Sequence, residues 1–371
     1  MYNIEVKKIN NTKNLIFHGG INSINVEEVS NLVFSLASAG ESVIFDFEHL
    51  DFISSAGLRL VLKSGKAFSN FEVINVSSDV YSTFEMTGFT EILKISKALR
   101  VVSIEGKELI GEGYMGRVYR LDPETIIKVY YRNSTIEDIK REISLAKTAF
   151  VLGIPTAIPF DVVKVKEGFY GSVFELLTSS SFNKYFIKHP ENVDKYITMY
   201  IDLLKQIMSI RITKETDIPR KKDEALLWWN SLNEQKAFDQ NVLDKMKRLI
   251  DNLPENNHLI HGDFHIKNIM MQGDEPLLID MDTLGIGHEI FEFAAFYLTY
   301  IGYPSTAPGN VEQFLGIPQK VADRLFYETV DEIFKDKDKL ERNKIIDKIA
   351  LLLYFWLTYK TLIFEPDNLD F

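Results

Sequence analysis

The segment that most restricts how this chain can fold lies between residues 261 and 282. It reads His261-Gly262-Asp263-Phe264-His265-Ile266-Lys267-Asn268, then a turn at Gly273, the apolar run Leu277-Leu278-Ile279, and Asp280-Met281-Asp282. A loop carries polar residues with narrow chemical uses, and a short apolar strand delivers further acidic groups to it. Asp263 can orient or deprotonate a hydroxyl. Asn268 and Asp280 offer the amide and carboxylate oxygens that a hard cation such as Mg2+ prefers. The bland alternative is a polar loop, with Asp280 capping the turn that follows.

Upstream, Gly111-Glu112-Gly113-Tyr114-Met115-Gly116, followed by Val118, has the pattern of a glycine-rich loop between strands. Missing side chains there let backbone N–H groups approach phosphates. Read alone, a structural glycine turn explains it equally well. Order and spacing add weight. Lys128 lies in the next strand-like run, Ile126-Ile127-Lys128-Val129-Tyr130, and Glu142 lies in a helical stretch over 139–147. The flanking isoleucines and valines argue against a plain surface lysine, and a buried ammonium needs an anionic partner. In kinase-like enzymes such a lysine holds the α- and β-phosphates of ATP while a helix glutamate positions it. We assign Glu142 to that role, with Glu137 and Asp138 as alternatives. Phosphoryl transfer needs mainly positioning and charge neutralisation, so this small set of groups suffices. His261 and His265 are spaced like a metal pair, but no third ligand of that type is evident, and bracing of the loop is the favoured role for His261.

Composition narrows the field. At 371 residues the chain exceeds what one hydrophobic core supports, so more than one folding unit is expected. A formal charge of −11 argues against broad binding to nucleic acid or an anionic membrane. The absence of cysteine excludes disulfides, thiol catalysis and cysteine-type zinc sites, and fits a cytoplasmic location. No leader-like pattern opens the sequence. The apolar stretch 349–361 is interrupted by Lys360 and falls short of the roughly 20 residues of a spanning helix, so it reads as a buried C-terminal helix.

Residues 1–100 alternate strand-like and helical runs: strands at 4–6, 15–18, 42–47 and 71–76, and helices at 26–39, from 55 and from 80. This predicts a small α/β layer domain. A charged stretch with Lys97, Arg100, Glu105 and Lys107 marks the boundary. From 104 to 371 the pattern is strand-rich first, over 104–178, and helix-rich afterwards, over 179–371. Aromatics in the helical half, including Trp228, Trp229, Phe293 and Phe296, read as core. Glu289 and Glu292 read as solvated helix charges, and the role of Asp282 is open.

These motifs resemble the aminoglycoside phosphotransferase and choline kinase branch of the protein-kinase-like superfamily. That branch writes its catalytic loop as His-Gly-Asp, as in His261-Gly262-Asp263, and here an Asp-centred metal strand, Asp280-Met281-Asp282, stands where protein kinases have Asp-Phe-Gly. No Ala-Pro-Glu segment is visible. The resemblance implies an α+β bilobal fold, ATP and Mg2+ as cofactors, and the hydroxyl of a small molecule as acceptor. It also implies a nucleotide site formed by Gly111, Gly113, Gly116, Val118 and Lys128, with a hinge near Glu175 and Leu177 pairing with adenine.

Residues 1–100 resemble the STAS domain of anti-sigma factor antagonists. In Asp51-Phe52-Ile53-Ser54-Ser55-Ala56-Gly57, Ser54 suits a helix N-cap, and Ser55 aligns with that domain's phosphorylatable serine. Ser54 replaces a frequent acidic residue and Ala56 a second serine. The implied role is regulation or docking through a protein partner. The alternative function is a partner-switching regulator whose kinase-like half phosphorylates a protein serine, Ser55 included, or only binds ATP.

Overall fold

The computed structural model describes residues 2–113, 115–131, 134–177, 180–214 and 216–364. The chain divides into two compact units, Met1–Val102 and Ser103–Phe371.

The first unit opens with a hairpin, β1 (Asn3–Ile9) and β2 (Thr12–Ile21). Its two-residue turn places Asn10 at φ 54°, a left-handed conformation that asparagine tolerates, so the early polar/apolar alternation spans two strands. Helix α1 (Val26–Leu36), β3 (Ser42–Ile53), α2 (Ser55–Ala67), β4 (Ser69–Val76), α3 (Ser78–Met86), α4 (Phe89–Ile92), β5 (Lys94–Lys97) and the short β6 (Val101–Val102) follow. Strands β1 to β5 lie in sequence order, the first pair antiparallel and the rest parallel. Side chains alternate across a sheet, so Leu15, Phe45 and Val73 share one face in register. With Phe17, Val43 and Phe47 they form a core with Val29, Val33, Leu58, Val61, Val80 and Phe84 of the helices. Burying each large apolar side chain contributes about 1.5–3 kcal/mol. Ile44 and Ile74, of opposite parity, stay half-buried, so the helices cover one face more fully than the other.

The second unit begins with a sheet of antiparallel neighbours. Strands β7 (Leu109–Glu112), β8 (Gly116–Arg120) and β9 (Thr125–Tyr130) form a meander, and α5 (Ile136–Val151) follows. Strand β11 (Phe169–Glu175) pairs with β9, and β10 (Pro159–Val165) with β11. The helical half contains β12 (Ser180–Ser181), α6 (Asn183–Lys188), α7 (Val193–Ser209), α8 (Lys221–Glu234) and α9 (Gln240–Asp251). Then come β13 (His258–Ile260), β14 (Ile269–Gln272), β15 (Glu275–Leu278), β16 (Gly285–Gly287), α10 (Ile290–Tyr297), α11 (Tyr303–Thr306), α12 (Asn310–Leu315), α13 (Gln319–Ile333) and α14 (Lys339–Phe364). Strand β13 pairs with β16, and β14 with both β12 and β15. These two small ladders frame the loop 261–268. Phe264, Phe293, Phe296 and Tyr200 belong to the large core of this unit.

Helix α14 buries Ile349, Leu352, Leu353 and Phe355 while Tyr354 remains exposed, so one stripe rather than the whole helix enters the core. No helix among the described residues is long and apolar enough to cross a membrane.

Candidate active site

Local folding rules aim each polar group. In β9, Ile127 and Val129 point to one side and Lys128 to the other, beside its cross-strand neighbour Val118. Helix α5 starts with a capping box in which Thr135 and Asp138 satisfy each other's backbone N–H groups. Its inward stripe runs through Ile139, Glu142, Ile143, Ala146 and Ala149, so helical spacing itself turns the Glu142 carboxylate into the protein. Lys128 Nζ donates to Glu142 Oε1 at 2.8 Å and to Asp280 Oδ1 at 3.0 Å. Burial works against the charged lysine, but the Asp280 and Glu142 carboxylates outweigh it and hold the ammonium well above its ordinary value. Glu137 and Asp138 are not its partners: Asp138 is committed to the cap, and both are exposed.

The loop between β13 and β14 is held from several directions. Gly262 has φ +83°, and a Cβ there would stand 2.6 Å from the Thr283 carbonyl oxygen. The Asp263 N–H donates to His261 Nδ1 at 3.2 Å, and the opposite ring nitrogen of His261 lies 3.2 Å from the Ile279 carbonyl oxygen. Burial drives this imidazole down to about 4, so it is neutral at pH 7 and acts as a strut. Tyr200 donates to the Phe264 carbonyl at 3.2 Å, and the Tyr300 hydroxyl accepts from the Ile266 N–H at 3.1 Å.

Asn268 Nδ2 donates to the Asp263 carbonyl and to Asp263 Oδ2, each at 3.0 Å. That orientation turns the amide oxygen of Asn268 away from Asp263. Asp263 keeps 40% of its side chain open. Partial burial first, and then the charges of Asp280 and Asp282, push its carboxyl up to about 7. Asp280 sits at φ +67°, a strained conformation for a non-glycine residue, and is fixed by Lys128 and by the Ile279 N–H donating to the Asn268 carbonyl at 3.0 Å. Lys128, Glu142 and Asp280 thus form one hydrogen-bonded group and Asp263 and Asn268 another, and the Ile279 backbone bond to Asn268 joins the two.

The glycine loop lies on the adjoining hairpin, where the Gly113 N–H donates to the Gly116 carbonyl at 2.9 Å. Gly116 packs under the Val129 carbonyl, whereas Gly113 faces open space; Tyr114 lies outside the described residues. Gly111 pairs with Val118. Glu175 ends β11, and its N–H donates to the Ile158 carbonyl at 2.9 Å. Leu177 follows two residues on, just before the undescribed 178–179. Ser55 belongs to the other unit. It is exposed at the first turn of α2, beside Ser54, whose side chain accepts from the Gly57 N–H at 3.3 Å.

Two acids exceed the reading from sequence. Glu292 is fully buried, not solvated, and its two oxygens accept the His261 and Gly262 N–H groups at 2.7 and 2.9 Å. The signal was present: a single acid inside Ile290-Phe291-Glu292-Phe293-Ala294 has no solvent side to occupy. Burial raises Glu292 to about 7 against the pull of those N–H groups. Burial and the neighbouring Asp280 and Glu142 likewise raise Asp282 to about 7. Glu289 is partly buried, 3.3 Å from both His258 and His288.

A sheet lobe carrying a lysine–glutamate pair, set against a helical lobe carrying Asp263, Asn268 and Asp280, defines a kinase-like phosphotransferase. Residues 108–317 match the profile of the phosphotransferase enzyme family, and the chain belongs to that family. Residues 3–101 match the STAS domain. Over 85 residues, 22% of this chain and 73% of the relative, it is 32% identical to a putative anti-sigma factor antagonist, BtrV, of Bordetella bronchiseptica. Among solved structures, a GDP complex of an aminoglycoside phosphotransferase-IIIa variant is similar at TM-score 0.47 and 14% identity, covering 76% of this chain and 90% of that one. The aminoglycoside phosphotransferase APH(4)-Ia is similar at 0.44 and 12%, covering 67% and 93%.

Proposed function

We propose that the second unit transfers the γ-phosphoryl group of ATP to a hydroxyl of a small molecule, and that the STAS unit regulates or docks it. The observation that carries this reading is the pairing of two hydrogen-bonded groups, Lys128 with Glu142 and Asp280, and Asn268 with Asp263, tied together by the Ile279 N–H on the Asn268 carbonyl. Lys128, locked by Glu142, meets the α- and β-phosphates. Gly113, with open space where a side chain would stand, leaves room for them beneath the hairpin turn. Asp263 orients the acceptor hydroxyl and takes its proton as the oxygen attacks phosphorus and the bond to ADP breaks. A carboxyl lifted to about 7 is a competent proton acceptor near neutral pH.

The donor set also fits a divalent cation. The charge of Asp280 adds to burial in pushing the nearby Asp282 carboxyl up, and the Asn268 amide nitrogen is the atom turned to Asp263. Among the described residues no three His, Cys, Asp or Glu side chains could hold a metal ion by themselves. Asn268 and Asp280 would therefore hold Mg2+ together with phosphate oxygens, as Mg2+ commonly requires. When bound, the ion neutralises charge on the transferring phosphoryl group.

The first experiment incubates the protein with γ-labelled ATP and Mg2+, with and without a panel of small hydroxyl compounds that includes amino sugars and choline-like amines. Label in a small molecule, lost in Asp263→Ala, supports the reading, and nucleotide binding without turnover under any condition overturns it. A second reading draws on Ser55, exposed at a helix start within a unit similar to an anti-sigma factor antagonist. In it the kinase-like unit phosphorylates a protein serine. Label on the chain itself that disappears in Ser55→Ala would favour that reading.

A further inference from the structure

Lys221, the first residue of α8, lies alongside β16. Its stem fills the space of two missing side chains. A Cβ on Gly285 would stand 2.2 Å from Lys221 Cε, and one on Gly287 would stand 3.2 Å from Lys221 Cβ. Backbone contacts fix this packing: the Ile286 N–H donates to the Pro219 carbonyl at 2.9 Å, and Arg220 bridges to Ile286. The side chain is only 12% exposed, and Nζ donates to Glu224 Oε2 at 2.8 Å. Gly285, against which the stem packs, lies three residues after Asp282 and pairs with Ile260, the residue before His261, whose N–H Glu292 accepts. The lysine therefore stands close to both acids, and its charge opposes the rise in their carboxyls. Glu224 in turn stands 3.6 Å from Arg141 on α5, so its own charge is shared.

A strand with glycine at two successive same-face positions gives up apolar packing at both. The room is used to bring an ammonium to the back of an acidic centre, where charges interact far more strongly than in water. We propose that Lys221 is a resident counter-cation of the acidic centre, a positioning residue that balances Asp282 and Glu292 and thereby limits how tightly the centre holds a divalent cation. Two cations near one set of carboxylates weaken each other's binding. Lys221 thus keeps the carboxylates in place without added metal and favours release of the metal with the spent nucleotide. This inference rests on the phosphotransferase reading of the same site.

The test measures binding of the non-hydrolysable nucleotide AMP-PNP by calorimetry at increasing Mg2+. Lys221→Met keeps the stem but removes the charge, and the Mg2+ concentration for half-maximal binding should fall at least threefold. Glu224→Gln frees the ammonium to act on the centre, and that concentration should rise at least twofold. Lys221→Arg should stay within twofold of wild type. General damage to the fold would shift both charge variants the same way, so opposite shifts support the proposal. An unchanged or raised value in Lys221→Met, or shifts of one sign in both variants, overturns it. If Lys221→Met does not fold, Glu224→Gln decides alone: a rise supports the proposal and no change overturns it. Wild-type protein whose AMP-PNP binding ignores Mg2+ would instead count against the phosphotransferase reading itself.

Discussion

At the scale of single residues, the site is a problem of crowded negative charge. Glu292 shows its structural side. Removing it in Glu292→Ala leaves the His261 and Gly262 N–H groups without their acceptor, at a cost of about 2–4 kcal/mol. We expect a lowered melting temperature and at least a tenfold loss of ATP turnover. The pH dependence has a definite sign. Burial lifts Glu292 in the folded state from 4.5 to about 7, so the native protein binds this proton more tightly than the unfolded chain. Its contribution is complete below about pH 4.5 and is lost as pH rises through about 7. Thermal melts at pH 5 and pH 8 should therefore differ less in Glu292→Gln than in wild type. An equal difference would mean that Glu292 titrates normally. The roles assigned to Lys128 and Asp263 came from residue type and order, which sequence displays directly. That Glu292 supports the loop depends on how α10 lies against β13, which a linear pattern does not show.

At the scale of elements, short ladders set the precision of the loop. Gly262 must take φ +83° with the Thr283 carbonyl where a Cβ would be, so Gly262→Ala strains the backbone and also displaces the loop. We expect a stability loss of about 1–3 kcal/mol and turnover reduced more than nucleotide affinity, read from denaturant melts and calorimetry. Normal turnover would show that the loop can relax without consequence. Strand β9 and helix α5 were legible as a strand-like run and a helical stretch, and the apolar residues flanking Lys128 argued against a surface position, whereas the inward face of Glu142 is seen only in the packed helix. Helix α8 and strand β16 were not. The Lys221 stem replaces hydrophobic packing there, so the pattern of Gly285-Ile286-Gly287 resembles a loop more than a strand.

At the scale of the whole molecule, the first unit has its own core, with Phe17, Phe45, Phe47 and Phe84 buried almost completely. A fragment of residues 1–102 should therefore unfold cooperatively by circular dichroism, and Phe45→Ala should destabilise it by about 3–5 kcal/mol. A fragment without a cooperative transition would mean that the core is insufficient alone. The α/β character of that unit was readable from its alternating runs. The unequal cover of its two faces was not, since Ile44 and Ile74 are as apolar as their buried neighbours. The central claim, that Asp263 directs phosphoryl transfer within an assembled nucleotide site, is tested most directly by Asp263→Asn in the full chain. Turnover at saturating Mg2+ and ATP is measured beside the nucleotide dissociation constant. The account predicts turnover lowered by about a thousandfold with affinity within threefold of wild type, and a variant retaining more than a tenth of wild-type turnover would contradict it.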